Sequence, residues 1–569
     1  MARTVAIGIQ DFSQLIEKDC FYIDKTSFIR EWWENRDSVT LITRPRRFGK
    51  TLNMSMIESF FSLDYAGRGD LFEGLSIWQN EKYREMQGTY PVICLSFANI
   101  KEDNFEMTRK KICQIIVELY GRYSFLFEDD KLNDADRAFY RRINVEMDDA
   151  DASMAIHYLA KFMYQYYGRK VIILLDEYDT PMQEAFIKGY WDELVSFTRN
   201  LFNATFKTNP YLERGIMTGI TRISKESIFS DLNNLEVVTT TSDKYATAFG
   251  FTENEVFAAL DEYGFSMEKE QVKRWYDGFI FGSQKDIYNP WSILNYLDKR
   301  KIATYWANTS SNGLVGKLLR EGDRRVKVSF ESLLSGESIR TPIDEQIVYD
   351  QLDGNAEAIW SLLLASGYLK VISYENLGAL EDGREQMYEL ALTNNEVKLM
   401  FDSMVRGWFR SIKGDYNDFI SAMLQNDLDA MNEYMNRVAL NTFSYFDTGK
   451  RPSTDEPERF YHGFVLGLLV DLQDRYIITS NRESGFGRYD VMIEPRNTVN
   501  DDAYILEFKV FNPKKEKSLE DTVIAALHQI EEKKYEIVLT EKRIPLERIH
   551  KYGFAFEGKN VFIGNNSAM

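Results

Sequence analysis

Cysteine and histidine are scarce in this chain. The three cysteines, Cys20, Cys94 and Cys113, are odd in number and show no Cys-x-x-Cys spacing, so neither a disulfide framework nor a thiolate zinc site is supported. The four histidines, His157, His462, His528 and His550, stand far apart in no metal-ligand spacing, which leaves any metal to oxygen ligands. Long apolar runs are missing as well. Stretches such as 171–175 and 464–470 fall far short of the ~20 residues that cross a bilayer. The N-terminal apolar stretch meets Gln10 and Asp11 too soon for a secretory signal, so a cytoplasmic location is expected. Positive charge is in deficit, with 69 Lys+Arg against 88 Asp+Glu and a formal charge of −19. That balance argues against a wholesale nucleic-acid coat but is compatible with a local basic groove on an acidic body.

What is present is globular. The 569 residues correspond to about three or four domains at roughly 150 residues each. Hydrophobic residues at 44% and aromatics at 14% are ample for packed cores. From residue 6 to about 251, short β-branched runs at 39–43, 92–97, 171–175 and 215–220 alternate with helix-length segments. This pattern predicts an α/β domain with a mainly parallel sheet covered on both faces. Residues 252–445 read as mostly helical. Within them, 362–374 followed by 387–392 predicts a helix and a small hairpin, a winged-helix-like arrangement. The acidic stretch 128–151 reads as a solvated surface. Breakers and polar residues concentrate at 448–457, the best linker, and a compact α/β unit follows. The expected domains are 1–251, 252–445 and 446–569.

Residues 39–51 read as a strand, a loop and the start of a helix. In a phosphate-binding loop, backbone N–H groups and a helix N-terminus cradle the β- and γ-phosphates, Lys50 neutralises them and the Thr51 hydroxyl ligates Mg²⁺. Gly49 allows close backbone approach. The generic motif carries another glycine where this chain has Arg44. A second element is the apolar run 171–175, which ends on Asp176 and Glu177. A strand buried on both faces delivers such carboxylates to the sheet edge where doubly wound folds bind ligands, so Asp176 reaches the Mg²⁺ shell and Glu177 orients the attacking water. The competing reading is a buried strand capped by acidic turn residues. After the run 215–220, Thr218 or Thr221 is a candidate sensor of the γ-phosphate and Arg222 a candidate charge stabiliser. The loop arginines Arg44, Arg46 and Arg47 either touch phosphate or face solvent and acidic neighbours.

Near the C-terminus, Asp490 precedes a strand carrying Glu507 and Lys509. Residues two apart on a strand share a face, so Glu507 and Lys509 lie together while Leu506, Phe508 and Val510 line the other side. Two carboxylates can hold Mg²⁺ through oxygen, and a nearby lysine can activate water or stabilise a phosphorane-like transition state. A cross-strand salt bridge needs the same Glu and Lys, so the flanking residues matter. Glu458 stands at the entrance of an upstream helix and Gln529 on a downstream one. Basic residues cluster at Lys509, Lys514, Lys515 and Lys517 and at Arg320, Arg324, Arg325 and Lys327, as solvated faces or as a DNA path.

The phrases beginning at Gly8, Phe21, Arg44, Leu174, Thr218 and Trp275 resemble the AAA-ATPase-like family, and the C-terminal block resembles the PD-(D/E)xK nuclease superfamily. The resemblance implies a P-loop NTPase with a mainly parallel sheet and a restriction-endonuclease-like α/β domain, on either side of the helical middle region read above. It places Lys50 and Thr51 at the nucleotide and Mg²⁺, with Asp176 and Glu177 as the acidic pair; Arg44, Arg47, Phe48, Gly49, Thr218 and Arg222 are further candidates at the nucleotide by their positions alone. Asp490, Glu507 and Lys509 become the nuclease core, with Glu458 and Gln529 matching its outer motifs. In that family the departure at Arg44 is the usual form. The function expected is ATP binding and hydrolysis with Mg²⁺, coupled to cleavage of DNA with Mg²⁺ or Mn²⁺. RNA as a substrate and self-association are left open, and no membrane is expected. The alternative is a nucleotide-operated switch whose C-terminal module only binds nucleic acid or a protein.

Overall fold

The computed structural model describes residues 2–128, 131–221, 229, 232–307, 309, 313–322, 324–344, 352, 356–375, 385–410, 416–446, 463–464, 467–468, 470–480, 483–484, 487–488, 490–557 and 560–566. Packing divides the chain into two units, Met1–Val315 with Ser338–Lys398, and Gly316–Glu337 with Leu399–Met569. The dividing points all lie within 252–445. The linker expected at 448–457 lies outside the described residues.

In the first unit, β1 (Val39–Thr43) leads through a loop into α1 (Lys50–Phe61). Then come β2 (Val92–Ser96), β3 (Val171–Asp176), α2 (Thr180–Lys188), β4 (Leu212–Gly219) and β5 (Leu235–Val238). The strands form one parallel sheet in the order β2-β3-β4-β1-β5. Every residue of β1 and β3 is buried, which is why these strands read as unbroken apolar runs rather than alternating ones. Ile42, Ile172, Leu174, Ile216 and Val238 meet Met54, Ile57, Phe60 and Phe61 of α1 in one core. The acidic stretch is less uniform than its charge implies. Asp136 is buried and accepts from Lys161 Nζ at 2.6 Å.

Helix α3 (Pro290–Lys299) follows in the same unit. The helix-then-hairpin pattern of the middle region is found as β6 (Ile339–Pro342), α4 (Ala356–Ala365), β7 (Leu369–Tyr374) and β8 (Met387–Leu392), with an antiparallel sheet in the order β7-β8-β6. The first turn of α5 (Asn395–Arg410) closes this unit. Its Glu396 is buried and accepts from Ser292 Oγ of α3 (2.8 Å) and from the backbone N–H groups of Tyr305 (2.6 Å) and Trp306 (2.8 Å).

The second unit contains α6 (Leu428–Phe446) and a sheet of β9 (Tyr476–Ser480), β10 (Val491–Pro495), β11 (Ala503–Val510), β12 (Ile549–Glu557) and β13 (Asn560–Asn565), in that order, with α7 (Leu519–Lys533) between β11 and β12. Only β11 and β12 pair in parallel. The β13 edge is closed by two asparagines of α6. Asn432 donates to Ile563 O at 2.9 Å and accepts from Ile563 N at 2.8 Å, and Asn436 does the same with Val561 at 2.7 and 2.9 Å. Side-chain amides thereby satisfy backbone groups that would otherwise pair with another chain. Lys327, expected on a solvated or DNA-facing cluster, is 2% exposed and so lies on neither.

Burial pushes the Glu396 carboxyl up to about 7 against the opposing pull of Ser292 and the 305–307 amides. Between the ordinary value of 4.5 and about 7, only the folded protein holds this proton, so stability is lost as pH rises through that window. In denaturant titrations the parent should lose up to about 3 kcal/mol relative to Glu396→Gln between pH ~4.5 and ~7. Parallel profiles for the two proteins would count against this assignment.

Candidate functional site

The loop after β1 is built on a buried cation. Arg44 is fully buried, and its guanidinium donates to the carbonyls of Thr43 (3.2 Å), Thr239 and Lys244 (3.4 Å) while lying 4.4 Å over the Phe281 ring. Burial pulls its pKa down to about 9. Arg44 does not line the adjacent cavity. Its expected place among the nucleotide contacts is corrected, because these remote carbonyls and the ring take up the side chain. Phe48 is likewise buried, edge-on to Phe279 and Phe281 at 4.8 and 5.3 Å, and anchors the far end of the loop. Gly49 sits at φ 80°, which lets the chain turn into α1. Lys50 Nζ donates to the carbonyls of Arg44 (2.9 Å) and Pro45 (3.0 Å), so the lysine folds back over its own loop. Burial lowers its pKa, opposed by Glu177, Asp176 and Asp179. Arg47 lies 4.3 Å over the Trp291 ring of α3.

Opposite the loop, β3 ends on Asp176, which is 4% exposed. One of its oxygens accepts from Thr51 Oγ1 at 2.7 Å and the other from Thr218 Oγ1. Burial raises its pKa and the two hydroxyls oppose the rise. Of the two threonines considered as sensors, Thr218 therefore stands at the acidic group. Thr221 instead donates to Asp179, through N–H at 2.9 Å and Oγ1 at 3.0 Å. Glu177 adopts φ 50°, its N–H donates to Thr218 Oγ1 at 3.3 Å, and its Oε2 accepts from Thr180 at 3.1 Å. Arg222 lies outside the described residues. Asp179 has no role in the sequence reading, although it stands in the phrase that opens at Leu174. It is buried and holds the end of β4 through Ile220 N–H and Thr221 N–H, both at 2.9 Å.

These groups border a cavity of ≈ 340 Å³ lined by Arg46, Arg47, Lys50, Thr51, Glu177 and Trp291 and, from the N-terminus, residues 6–10. A hydroxyl touching a carboxylate is a hard-oxygen donor pair suited to Mg²⁺, and the helix start with Lys50 is suited to phosphate. The residues present fit Mg²⁺ and a nucleotide.

In the second unit, β10 and β11 pair antiparallel with Val491 opposite Leu506, which brings Asp490 beside Glu507. Asp490 Oδ2 accepts from Phe508 N–H at 2.8 Å. The face carrying Glu507 also carries Ala503 and Ile505, which pack under Val523, Leu527 and Ile530 of α7. Glu507 is thereby 2% exposed, on a face covered by a helix rather than open to water. Gln529 of α7 bridges the strand's two polar residues. Its Oε1 accepts from Lys509 Nζ at 2.7 Å, and its Nε2 donates to Glu507 Oε1 and to Tyr535 OH at 3.1 Å. Glu507 Oε2 is buried with no hydrogen-bond partner among the described residues. Burial, then the charge of Asp490, pushes the Glu507 carboxyl up to about 8, with Lys509 opposing. An orphaned buried carboxylate oxygen next to a second carboxylate fits a divalent cation. Glu458 lies outside the described residues. Tyr535 ends the helix read around Gln529 but has no role in the sequence reading. The signal for it is the end of α7, where Lys534 adopts φ 54° and turns the phenol back toward Gln529.

Comparisons with known proteins agree with this division of labour. Residues 6–229 match the AAA-ATPase-like family, described as predicted AAA-ATPase, and residues 456–566 match the PD-(D/E)XK nuclease superfamily. An uncharacterised protein in the vnfD 5′ region of Azotobacter chroococcum mcd 1 is 23% identical over 520 residues, covering 89% of this chain and 89% of its own length. The chain thus carries an AAA-ATPase-like domain toward its N-terminus and a PD-(D/E)XK nuclease superfamily domain toward its C-terminus.

Proposed function

We propose that the protein hydrolyses ATP with Mg²⁺ in its first unit and cleaves DNA phosphodiester bonds with Mg²⁺ or Mn²⁺ in its second. The observation that carries the nuclease reading is the buried Glu507 oxygen that has no hydrogen-bond partner among the described residues, beside Asp490 and with Lys509 fixed by Gln529. In the first unit, Thr51 and Asp176 hold the metal. Lys50 leaves the Arg44 and Pro45 carbonyls for the phosphates, and Glu177 orients water. In the second, Asp490 and Glu507 hold the metal, while Lys509 stabilises charge on the attacked phosphate and positions its water. The bound cations supply charge neutralisation and acidify water.

Lys50→Ala should lower ATP hydrolysis by about 10²–10³-fold. Asp490→Ala and Lys509→Ala should remove cleavage of linear, supercoiled and single-stranded DNA while far-UV circular dichroism stays unchanged. Undiminished cutting by Asp490→Ala would sink the second site as drawn. Absence of cleavage in the parent, with nucleotide still bound, would favour the switch. A separate measurement tests the metal ligands: Mn²⁺ should raise the thermal midpoint of the parent's second unit and leave that of Asp490→Ala unmoved, and equal shifts would refute ligation by Asp490.

A further inference from the structure

We propose that Arg46 is the cation that stabilises charge on the phosphoryl group leaving ATP, supplied by the same chain that binds the nucleotide, and that Gln183 and Asp179 position it. This rests on the ATPase reading given above.

The loop holds three arginines with three different fates. Arg44 is buried against carbonyls, and Arg47, which also borders the cavity, is stacked on Trp291. Arg46 lines the cavity together with Lys50, Thr51 and Glu177. Its Nη2 donates to Gln183 Oε1 at 3.2 Å, and it makes no ion pair among the described residues. A guanidinium has five N–H donors, so one neutral oxygen holds Arg46 in place without neutralising it. Lys50 lines the same cavity, so the two cations border the space where the phosphates are expected.

The support behind Arg46 is equally directional. Gln183 Nε2 donates to Asp179 Oδ2 at 3.2 Å, so the amide presents its oxygen to the arginine and its nitrogen to the carboxylate. Asp179 is buried and fastened to the Ile220 and Thr221 amides at the end of β4. The chain Asp179–Gln183–Arg46 therefore ties the guanidinium to the rigid edge of the sheet. In the reaction, water oxygen bonds to the γ-phosphorus as the bond to the β–γ bridging oxygen breaks, and that electron pair leaves on ADP. The water proton passes toward Glu177. Arg46 transfers no proton and lowers the energy of the oxygens that carry the developing charge. With this cation supplied in cis, hydrolysis needs no second copy of the chain.

The test uses the full chain and compares the parent with Arg46→Ala, Arg46→Lys, Gln183→Ala and the Arg46→Ala/Gln183→Ala pair. Three readouts are followed: steady-state ATP hydrolysis, ADP affinity by calorimetry, and retention of ADP with aluminium fluoride. Arg46→Ala should lower kcat about 10³-fold. It should leave ADP affinity within about threefold and abolish ADP–aluminium fluoride retention, with Arg46→Lys recovering part of both. Gln183→Ala should cost less and add nothing to Arg46→Ala. The kcat of the parent should not depend on protein concentration. Parent-level turnover in Arg46→Ala, or a kcat that climbs with protein concentration, would overturn the assignment and leave the ATPase reading standing. A parent that neither hydrolyses ATP nor retains the aluminium fluoride complex would overturn both.

Discussion

The first unit depends on one carboxylate with two hydroxyl partners. Asp176 sits at the carboxyl end of a strand buried on both faces, where desolvation makes an unpaired charge costly. Thr51 answers it from the start of α1 and Thr218 from the end of β4. The contact therefore joins the strand, the phosphate loop and the neighbouring strand at one point. Parallel pairing makes this possible. Thr43 lies opposite Gly219 and Ile42 opposite Thr218, so the loop after β1 and the polar end of β4 reach the same edge of the sheet. An antiparallel arrangement would send those ends to opposite sides.

The second unit solves a similar problem with a helix instead of a strand. Glu507 is polar on a face that otherwise packs as core, and Gln529 on the covering helix reaches it. A side-chain amide is suited to the task because one end accepts from Lys509 while the other donates to Glu507 and Tyr535. The polar residues are thus held from the covering helix, with one carboxylate oxygen without a hydrogen-bond partner among the described residues. Position along the strand alone does not create this arrangement. It comes from the packing of α7 across β11.

The sheet of the first unit was legible because burial on both faces leaves β-branched runs that stand out from their surroundings, as at 39–43 and 171–175. Strand β5 escaped notice because its Leu235-Glu236-Val237-Val238 is short and only Val238 is fully buried. The helix-and-hairpin pattern of the middle region was readable, but its packing with the first unit was not, since 316–337 departs to the second unit and 338–398 returns. Motif spacing identified which residues stand on the phosphate loop without giving their directions. Arg44 turns inward because Thr239, Lys244 and Phe281 await it some two hundred residues away, a fact no local pattern carries. Asp179 and Tyr535 escaped for the same reason. Each acts through a partner that becomes a neighbour only after folding.

The arginine at the head of the phosphate loop also has a kinetic meaning. A glycine there would leave the loop free to sample many shapes and to settle only around its ligand. A buried guanidinium allows no such freedom, because any large excursion of the loop strands a charge away from both water and its carbonyl partners. The entropy of ordering the loop is lost once, when the chain folds, rather than at each encounter with nucleotide. On the proposed reading, incoming phosphates would meet a receptor already in shape, and the main rearrangement left to them would be the release of Lys50 from two carbonyls.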